Sequence, residues 1–139
     1  GWRPATSTPA TRSAPTSSEA FLARLKLTLV LDSGARIGPG KAALLESVRS
    51  TGSIAAAARA MNMDYKRAWL LIDSLNRAFD TPTVERSTGG ARGGGASLTA
   101  FGEELLARYR RLQHAAASLA ADDLEALERH ASADIGPKV

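Results

Sequence analysis

The chain has 139 residues, 44% of them hydrophobic but only 5% aromatic, with 18 Lys/Arg against 14 Asp/Glu and no cysteine. That length argues for one domain, and an Ala/Leu-rich, aromatic-poor composition argues for a compact helical domain over a β-sandwich. Disulfides and thiolate metal sites are excluded, no apolar run approaches the roughly 18 residues of a membrane span, and a cytoplasmic protein is the expectation.

Charge is unevenly spread. Residues 1–98 hold 13 Lys/Arg and 7 Asp/Glu, whereas residues 99–139 hold 5 and 7. A basic front and a mildly acidic tail suggest that the front meets a polyanion.

Residues 1–18 place Pro4, Pro9 and Pro15 in a Ser/Thr/Ala background. This stretch is too poor in apolar side chains to offset the entropy of ordering, so a disordered tail is expected. It is not basic and then apolar, so no secretory leader is expected. Glu19 to Arg24 read as a short helical lead-in. Leu25 to Leu31 alternate and are rich in β-formers, which predicts a strand; Asp32-Ser33-Gly34 is a turn, and Arg36-Ile37 pair back. Pro39 suits the first position of a helix, since its missing N–H would be unpaired there anyway. That helix puts Leu44, Leu45 and Val48 on one face and ends near Thr51-Gly52.

Ser53 is the expected N-cap of a second helix with a stripe of Ile54, Ala57, Ala58 and Met61. Asn62-Met63 make a turn, and Asp64 is expected to cap a third helix whose core stripe is Ala68, Leu71, Ile72 and Leu75. Lys66, Leu70, Asp73 and Arg77 lie opposite that stripe, Arg67 lies to one side, and Tyr65 falls nearer the buried side. Pro82 stops the helix. Val84 to Thr88 and Ala96 to Leu98 read as two strands joined by the glycine-rich run Gly89 to Gly95. Thr99 then caps a long helix to about Ala120, in which Leu105, Tyr109, Leu112, Ala116 and Leu119 step by four and three as in a coiled-coil seam. Asp122 or Asp123 is expected to cap a separate short helix, and residues beyond Ala131 to fray. The fold expected is mainly α with a small β-wing: a winged helix-turn-helix over 19–98, a dimerisation helix region over 99–131 and a frayed tail over 132–139.

The third helix is the candidate reader of a nucleic acid. A recognition helix enters the major groove with its amino end towards the bases, and Lys66 or Arg67 can donate to guanine O6 and N7. Leu70 lies on the same exposed face, and Tyr65 suits a phosphate or a neighbouring side chain. Exposed helix faces are normally charged, so the two cations gain meaning only from the tight helix–turn–helix spacing. Ser53 offers a hydroxyl and helix-end N–H groups to a phosphate, though every capped helix has such an end. The glycine-rich run lacks the Gly-Lys-Ser/Thr of a phosphate-binding loop and any G-x-G-x-x-G. As a wing it brings backbone at Gly90 close to a duplex, with Arg92 at the tip and Arg86 on the strand meeting phosphates or the minor groove; the plainer alternative is a surface linker. Catalysis finds little support: His114 and His130 lie 16 residues apart with no metal-ligand spacing, and no motif marks a nucleophile. Trp69 and Tyr109 are expected to pack rather than to stack on bases. Neither an enzyme nor a cofactor is expected.

The runs Arg36-Ile37-Gly38-Pro39-Gly40-Lys41-Ala42-Ala43-Leu44-Leu45, Gly52-Ser53-Ile54, Tyr65-Lys66-Arg67-Ala68-Trp69, Asn76, Val84-Glu85-Arg86, Thr88-Gly89-Gly90, Gly93-Gly94-Gly95-Ala96, Leu98-Thr99 and Gly102 resemble the DNA-binding domain of ModE-type molybdate-responsive regulators, themselves relatives of the LysR-type winged helix. The resemblance spans about Leu25 to Leu112. It implies a dimeric regulator on a palindromic operator, with Lys66 and Arg67 at the reading end, Gly89 to Gly95 as the wing and the helix from Thr99 as the dimer-forming element. ModE-type proteins also carry C-terminal domains that hold molybdate; this chain resembles a stand-alone DNA-binding version or an excised domain, and no molybdate site is expected within it. The competing expectation is a winged-helix module for protein partners, in which the seam and Leu70 serve the partner and DNA binding is only non-specific.

Overall fold

A computed structural model describes residues 24–87, 94–134 and 136–137. The expected tail over 1–18, most of the lead-in, and the loop tip with Gly90 and Arg92 lie outside the described residues. Residues 26–116 form one compact unit, and residues 117–139 belong to a second.

The first pairing is shorter than the alternation predicts. β1 (Leu29–Val30) runs antiparallel to β2 (Arg36–Ile37), with Leu29 opposite Ile37 and Val30 opposite Arg36. Leu25 is exposed; alternation alone does not hold a strand that lacks a ladder partner. The turn closes through Leu31 N–H to Ala35 O (2.9 Å) and Gly34 N–H to Leu31 O (2.8 Å), with Gly34 at a φ of +96°.

α1 (Pro39–Thr51) opens on its proline and buries Ala42, Leu44, Leu45 and Val48. Gly52 ends it in the left-handed conformation, φ +78°, and donates its N–H to Val48 O. A residue with a Cβ is disfavoured there, so the glycine sets where the helix stops. Ser53 turns the backbone extended, and its Oγ accepts the Ala56 N–H at 2.9 Å to start α2 (Ile54–Ala60). Asn62 at φ +55° and the bond from Met63 N–H to Ala58 O close the turn. α3 (Tyr65–Ala78) follows, burying Ala68, Ile72 and Leu75. Asp64 holds the N-cap position, but its side chain makes no capping bond.

β3 (Val84–Ser87) and β4 (Gly95–Leu98) pair antiparallel from Val84↔Leu98 to Ser87↔Gly95. α4 (Ala100–Glu128) then continues well past Ala120 and through Asp122 and Asp123, so neither aspartate caps a second helix. No glycine or proline occurs between residues 103 and 135, and an aspartate inside a run of strong helix formers costs only tenths of a kcal/mol.

The core is helical: Leu44, Leu45, Val48, Ala57, Ala68 and Leu75 are almost wholly buried. Alanines at Ala57, Ala58 and Ala68 let α1, α2 and α3 approach closely. Leu105 and Tyr109, expected in an intermolecular seam, pack in the protomer's own core. The Tyr109 hydroxyl donates to Leu27 O at 2.6 Å, so the first turns of α4 close the protomer itself. Glu46 reinforces the junction of α1 and α4 by pairing with Arg110, and Arg49 by pairing with Glu103 at 3.0 Å. The result is a mainly α fold with a small two-stranded wing.

Candidate nucleic-acid interface

α2, the turn at Asn62-Met63 and α3 form the helix-turn-helix. Its geometry follows from local chemistry: Ser53 caps the first helix, a left-handed Asn62 reverses the chain, and Ala58 and Ala68 permit tight packing. The amino-terminal half of α3 is then presented outward. Lys66 and Arg67 are exposed, Leu70 is 52% exposed, and Tyr65 at 46% is not on the buried side as its position predicts. Trp69, expected to pack, is 38% exposed. The helical angle places Tyr65 and Trp69 at the border of the core stripe, and no described element covers that border.

Electrostatics distinguishes the two ends of α3. Among the described residues, the ion pairs involve Arg49, Arg77, Arg108 and Arg110. Lys66, Arg67 and Arg86 have no carboxylate within ion-pair distance among the described residues. Further along α3, Arg77 is engaged by Asp73 at 3.1 Å. The positive charge left without an acidic partner on α3 therefore sits at its amino end, where a polyanion would gain most from it.

The wing is fixed at its root by groups that composition and periodicity do not reveal. Asn76, near the end of α3, accepts at Oδ1 from Thr83 N–H (2.8 Å), Thr83 Oγ1 (2.8 Å) and Val84 N–H (3.1 Å), and its Nδ2 donates to Val84 O (3.2 Å). Thr83 is fully buried, so these bonds satisfy a polar group that would otherwise be stranded. Thr99 donates from Oγ1 to Pro82 O (2.7 Å), donates its N–H to Thr83 O, and accepts the Gly102 N–H that starts α4. A Cβ on Gly102 would sit 2.0 Å from Thr83 O, so only glycine lets α4 pass this close. On the opposite strand, Ala96 N–H donates to Gly52 O at 2.9 Å. α3, wing root and α4 are thus held together through Asn76, Thr83 and Thr99. The signal was an amide one step past the core position Leu75, seven residues before a threonine flanked by Pro82 and Val84.

The other expected residues are placed as follows. Ser53 is half-buried and occupied as acceptor for Ala56 N–H, with its own hydroxyl proton available. Arg86 is exposed on β3, opposite Ala96. Gly90 and Arg92 lie outside the described residues. Leu112, at 49%, and Leu119, at 86%, are exposed on α4, and Ala116 is half-buried. Among the described residues no helix is long and apolar enough to cross a membrane, and no group of His, Asp or Glu could hold a metal ion.

Comparison with known proteins agrees with this arrangement. Residues 41–103 match the family model of the bacterial regulatory helix-turn-helix proteins, lysR family. Molybdenum-pterin-binding protein MopB of Rhodobacter capsulatus is 43% identical over 86 residues, covering 62% of this chain and 32% of that protein. Molybdenum transport protein ModE of Azotobacter vinelandii is 40% identical over 93 residues, covering 67% and 34%. The DNA-binding transcriptional dual regulator ModE of Escherichia coli K12 is 36% identical over 104 residues, covering 73% and 40%. The chain therefore spans about a third of the length of these relatives. Among solved structures, a MarR family transcription regulator superposes with a TM-score of 0.51 at 23% identity, covering 68% of this chain and 63% of that one. That likeness speaks to the winged-helix fold. Over residues 41–103 the chain is thus similar to the helix-turn-helix of the lysR family, and its winged-helix region is similar in sequence to the ModE and Mop proteins.

Proposed function

We propose that the chain is a sequence-specific DNA-binding transcriptional regulator that acts as a homodimer on a palindromic operator and is linked to molybdenum metabolism. The observation that carries the reading is the amino end of α3, exposed, cationic and without acidic partners among the described residues, on a tightly packed helix-turn-helix beside a pinned wing root. Lys66 and Arg67 are the polar contacts at that end, and Leu70 is an apolar contact suited to a thymine methyl. Tyr65 and the Ser53 hydroxyl serve phosphates, and Arg86 reaches the backbone beside the wing. Gly90 and Arg92 remain the expected wing contacts. The names of the ModE and Mop relatives supply the link to molybdenum.

The test is a gel-shift and footprint series on duplexes selected from random sequence. The expected result is one preferred, two-fold-symmetric site, bound with an affinity that falls steeply as salt rises, because each neutralised phosphate releases condensed counterions. Lys66→Ala should cost roughly 1–3 kcal/mol on that site and narrow its margin over unrelated duplexes. Unchanged affinity in this variant overturns the assignment of the reading residue.

The exposed trio Tyr65, Trp69 and Leu70 favours a second reading, a docking surface for a protein partner. Equal affinity for unrelated duplexes, lost near physiological salt, decides for that reading.

A further inference from the structure

A cleft of about 330 Å³ lies beside the amino end of α3, lined by Thr28, Arg36, Gly38, Gly40, Lys41, Met63, Arg67 and Leu71. Three cations reach it from three elements: Arg36 from β2, Lys41 from α1 and Arg67 from α3. Among the described residues none of them has a carboxylate within ion-pair distance. Three like charges around one cleft repel one another, so the folded chain carries a cost here that an anion in the cleft removes. The cleft is preorganised. Lys41 Nζ donates to Arg36 O at 2.8 Å and reaches Ser74 Oγ at 3.4 Å, which ties the lysine to the hairpin and to α3 and leaves it a proton to donate. The mouth stays open at Gly40, where an added Cβ would meet nothing within 4 Å.

Lys66 does not line this cleft, although it neighbours Arg67 in sequence. The two cations at the start of α3 therefore have different surroundings. Lys66 stands on the outward face of the helix, and Arg67 stands at a basic cleft that α3 shares with the hairpin and α1.

We propose that this cleft is a clamp for one DNA backbone phosphate, and that Arg67, with Arg36 and Lys41, fixes register on the duplex and does not read bases. The inference rests on the DNA-binding reading given above and divides the labour within it: Lys66 discriminates sequence, Arg67 and the hairpin side position the helix. It also extends the footprint beyond the helix-turn-helix and wing to β2, an element outside the matched segment 41–103.

The experiment measures affinity and its salt dependence for wild type, Arg36→Ala, Arg36→Lys, Arg67→Ala and Lys66→Ala, on the preferred duplex and on scrambled ones. Far-UV CD and Tm accompany each variant, and Arg36→Gln replaces Arg36→Ala should the latter lose its melting transition. Arg36→Ala and Arg67→Ala should each weaken every duplex by a similar factor, on the order of tenfold at 0.1 M salt, and each should flatten the log–log salt slope by about 0.9. Arg36→Lys should keep most of the affinity, because a point charge suffices for a phosphate. Wild type that binds no duplex removes the parent reading. Wild type that binds while Arg36→Ala leaves affinity and slope unchanged overturns the clamp alone. A change of base preference in Arg67→Ala overturns the division of labour. Inorganic phosphate at constant ionic strength provides the remaining arm. If it raises the Tm of the DNA-free protein, and Arg36→Ala abolishes that rise without affecting duplex affinity, the cleft belongs to a free oxyanion and the clamp is wrong.

Discussion

Two polar side chains, Asn76 and Tyr109, show how single residues position a surface they do not themselves form. The Asn76 carboxamide takes three donors at one oxygen and returns one bond to Val84 O. Truncation would leave the buried Thr83 group and the Val84 N–H unsatisfied, at about 1–3 kcal/mol each for groups without access to water. Asn76→Ala should therefore cost roughly 2–3 kcal/mol in urea denaturation and speed amide exchange at Thr83 and Val84, while exchange inside α1 stays slow. A loss below half a kcal/mol would mean that the wing root is held elsewhere. Tyr109 is the second case. Its hydroxyl bond to Leu27 O is worth about 1 kcal/mol, so Tyr109→Phe should lose that much at pH 7. Burial pushes the phenol above its ordinary value of 10.0, against a smaller opposing pull from Arg110. The stabilising contribution of the neutral phenol is therefore complete below pH 10 and is lost as pH rises through the folded-state value. The gap between wild type and Tyr109→Phe should narrow in denaturation series carried above about pH 10, and a gap that widens there would contradict the assigned direction.

At the scale of elements, what local punctuation can specify was legible and what tertiary neighbours decide was not. Pro39, Gly52 and Ser53 mark ends by their own backbone chemistry, and α1 and α2 begin or end where these residues stand, whereas α3 already stops at Ala78, ahead of Pro82. The spacing from Ala68 to Leu75 marks a core stripe in the same way. By contrast, the four-three spacing that starts at Leu105 suits a protomer core and a coiled coil equally, and only the folded chain shows Tyr109 closing onto Leu27. Tyr65 and Trp69 fall at the edge of a stripe, where burial depends on whether another element arrives. The cationic face was readable because exposure at the start of α3 follows from helix phase, whereas the Asn76–Thr83–Thr99 junction needs three segments brought together. The approach of α4 to the wing root tests that junction as a unit. Gly102→Ala gains up to about 1 kcal/mol of helix propensity, yet its Cβ would lie 2.0 Å from the Thr83 carbonyl. A backbone atom cannot swing away as a side chain does, and forced repacking costs about 1–3 kcal/mol. Net destabilisation is expected, read as a lower Tm together with weaker binding to duplex; a higher Tm would show that α4 can slide away from the wing at no loss.

At the scale of the whole molecule, the question is what α4 does once it leaves its own core. Leu105 and Tyr109 are buried, whereas Leu112 and Leu119 continue their spacing with about half and most of their surface in water. Fully burying a leucine yields about 1.5–3 kcal/mol. A two-fold interface uses each position twice, so four partly exposed leucines supply somewhat less than four such terms. Association costs about 4–15 kcal/mol in lost rigid-body freedom. The two quantities are of the same order, so this seam alone supports only a modest dimer, one whose population depends on concentration. A duplex with two half-sites changes that balance, because the first bound protomer holds the second at a high effective concentration. Sedimentation of wild type should therefore show a monomer–dimer equilibrium that shifts with protein concentration and moves to two protomers per duplex on the preferred site. Leu112→Asp combined with Leu119→Asp places charges in the contact and should leave a folded monomer with unchanged helicity. That monomer should shift duplex at much higher concentration and protect only one half-site. A wild type that stays monomeric on DNA, or a double variant that still dimerises, would exclude α4 as the pairing element and require the two reading helices to be brought together by another surface.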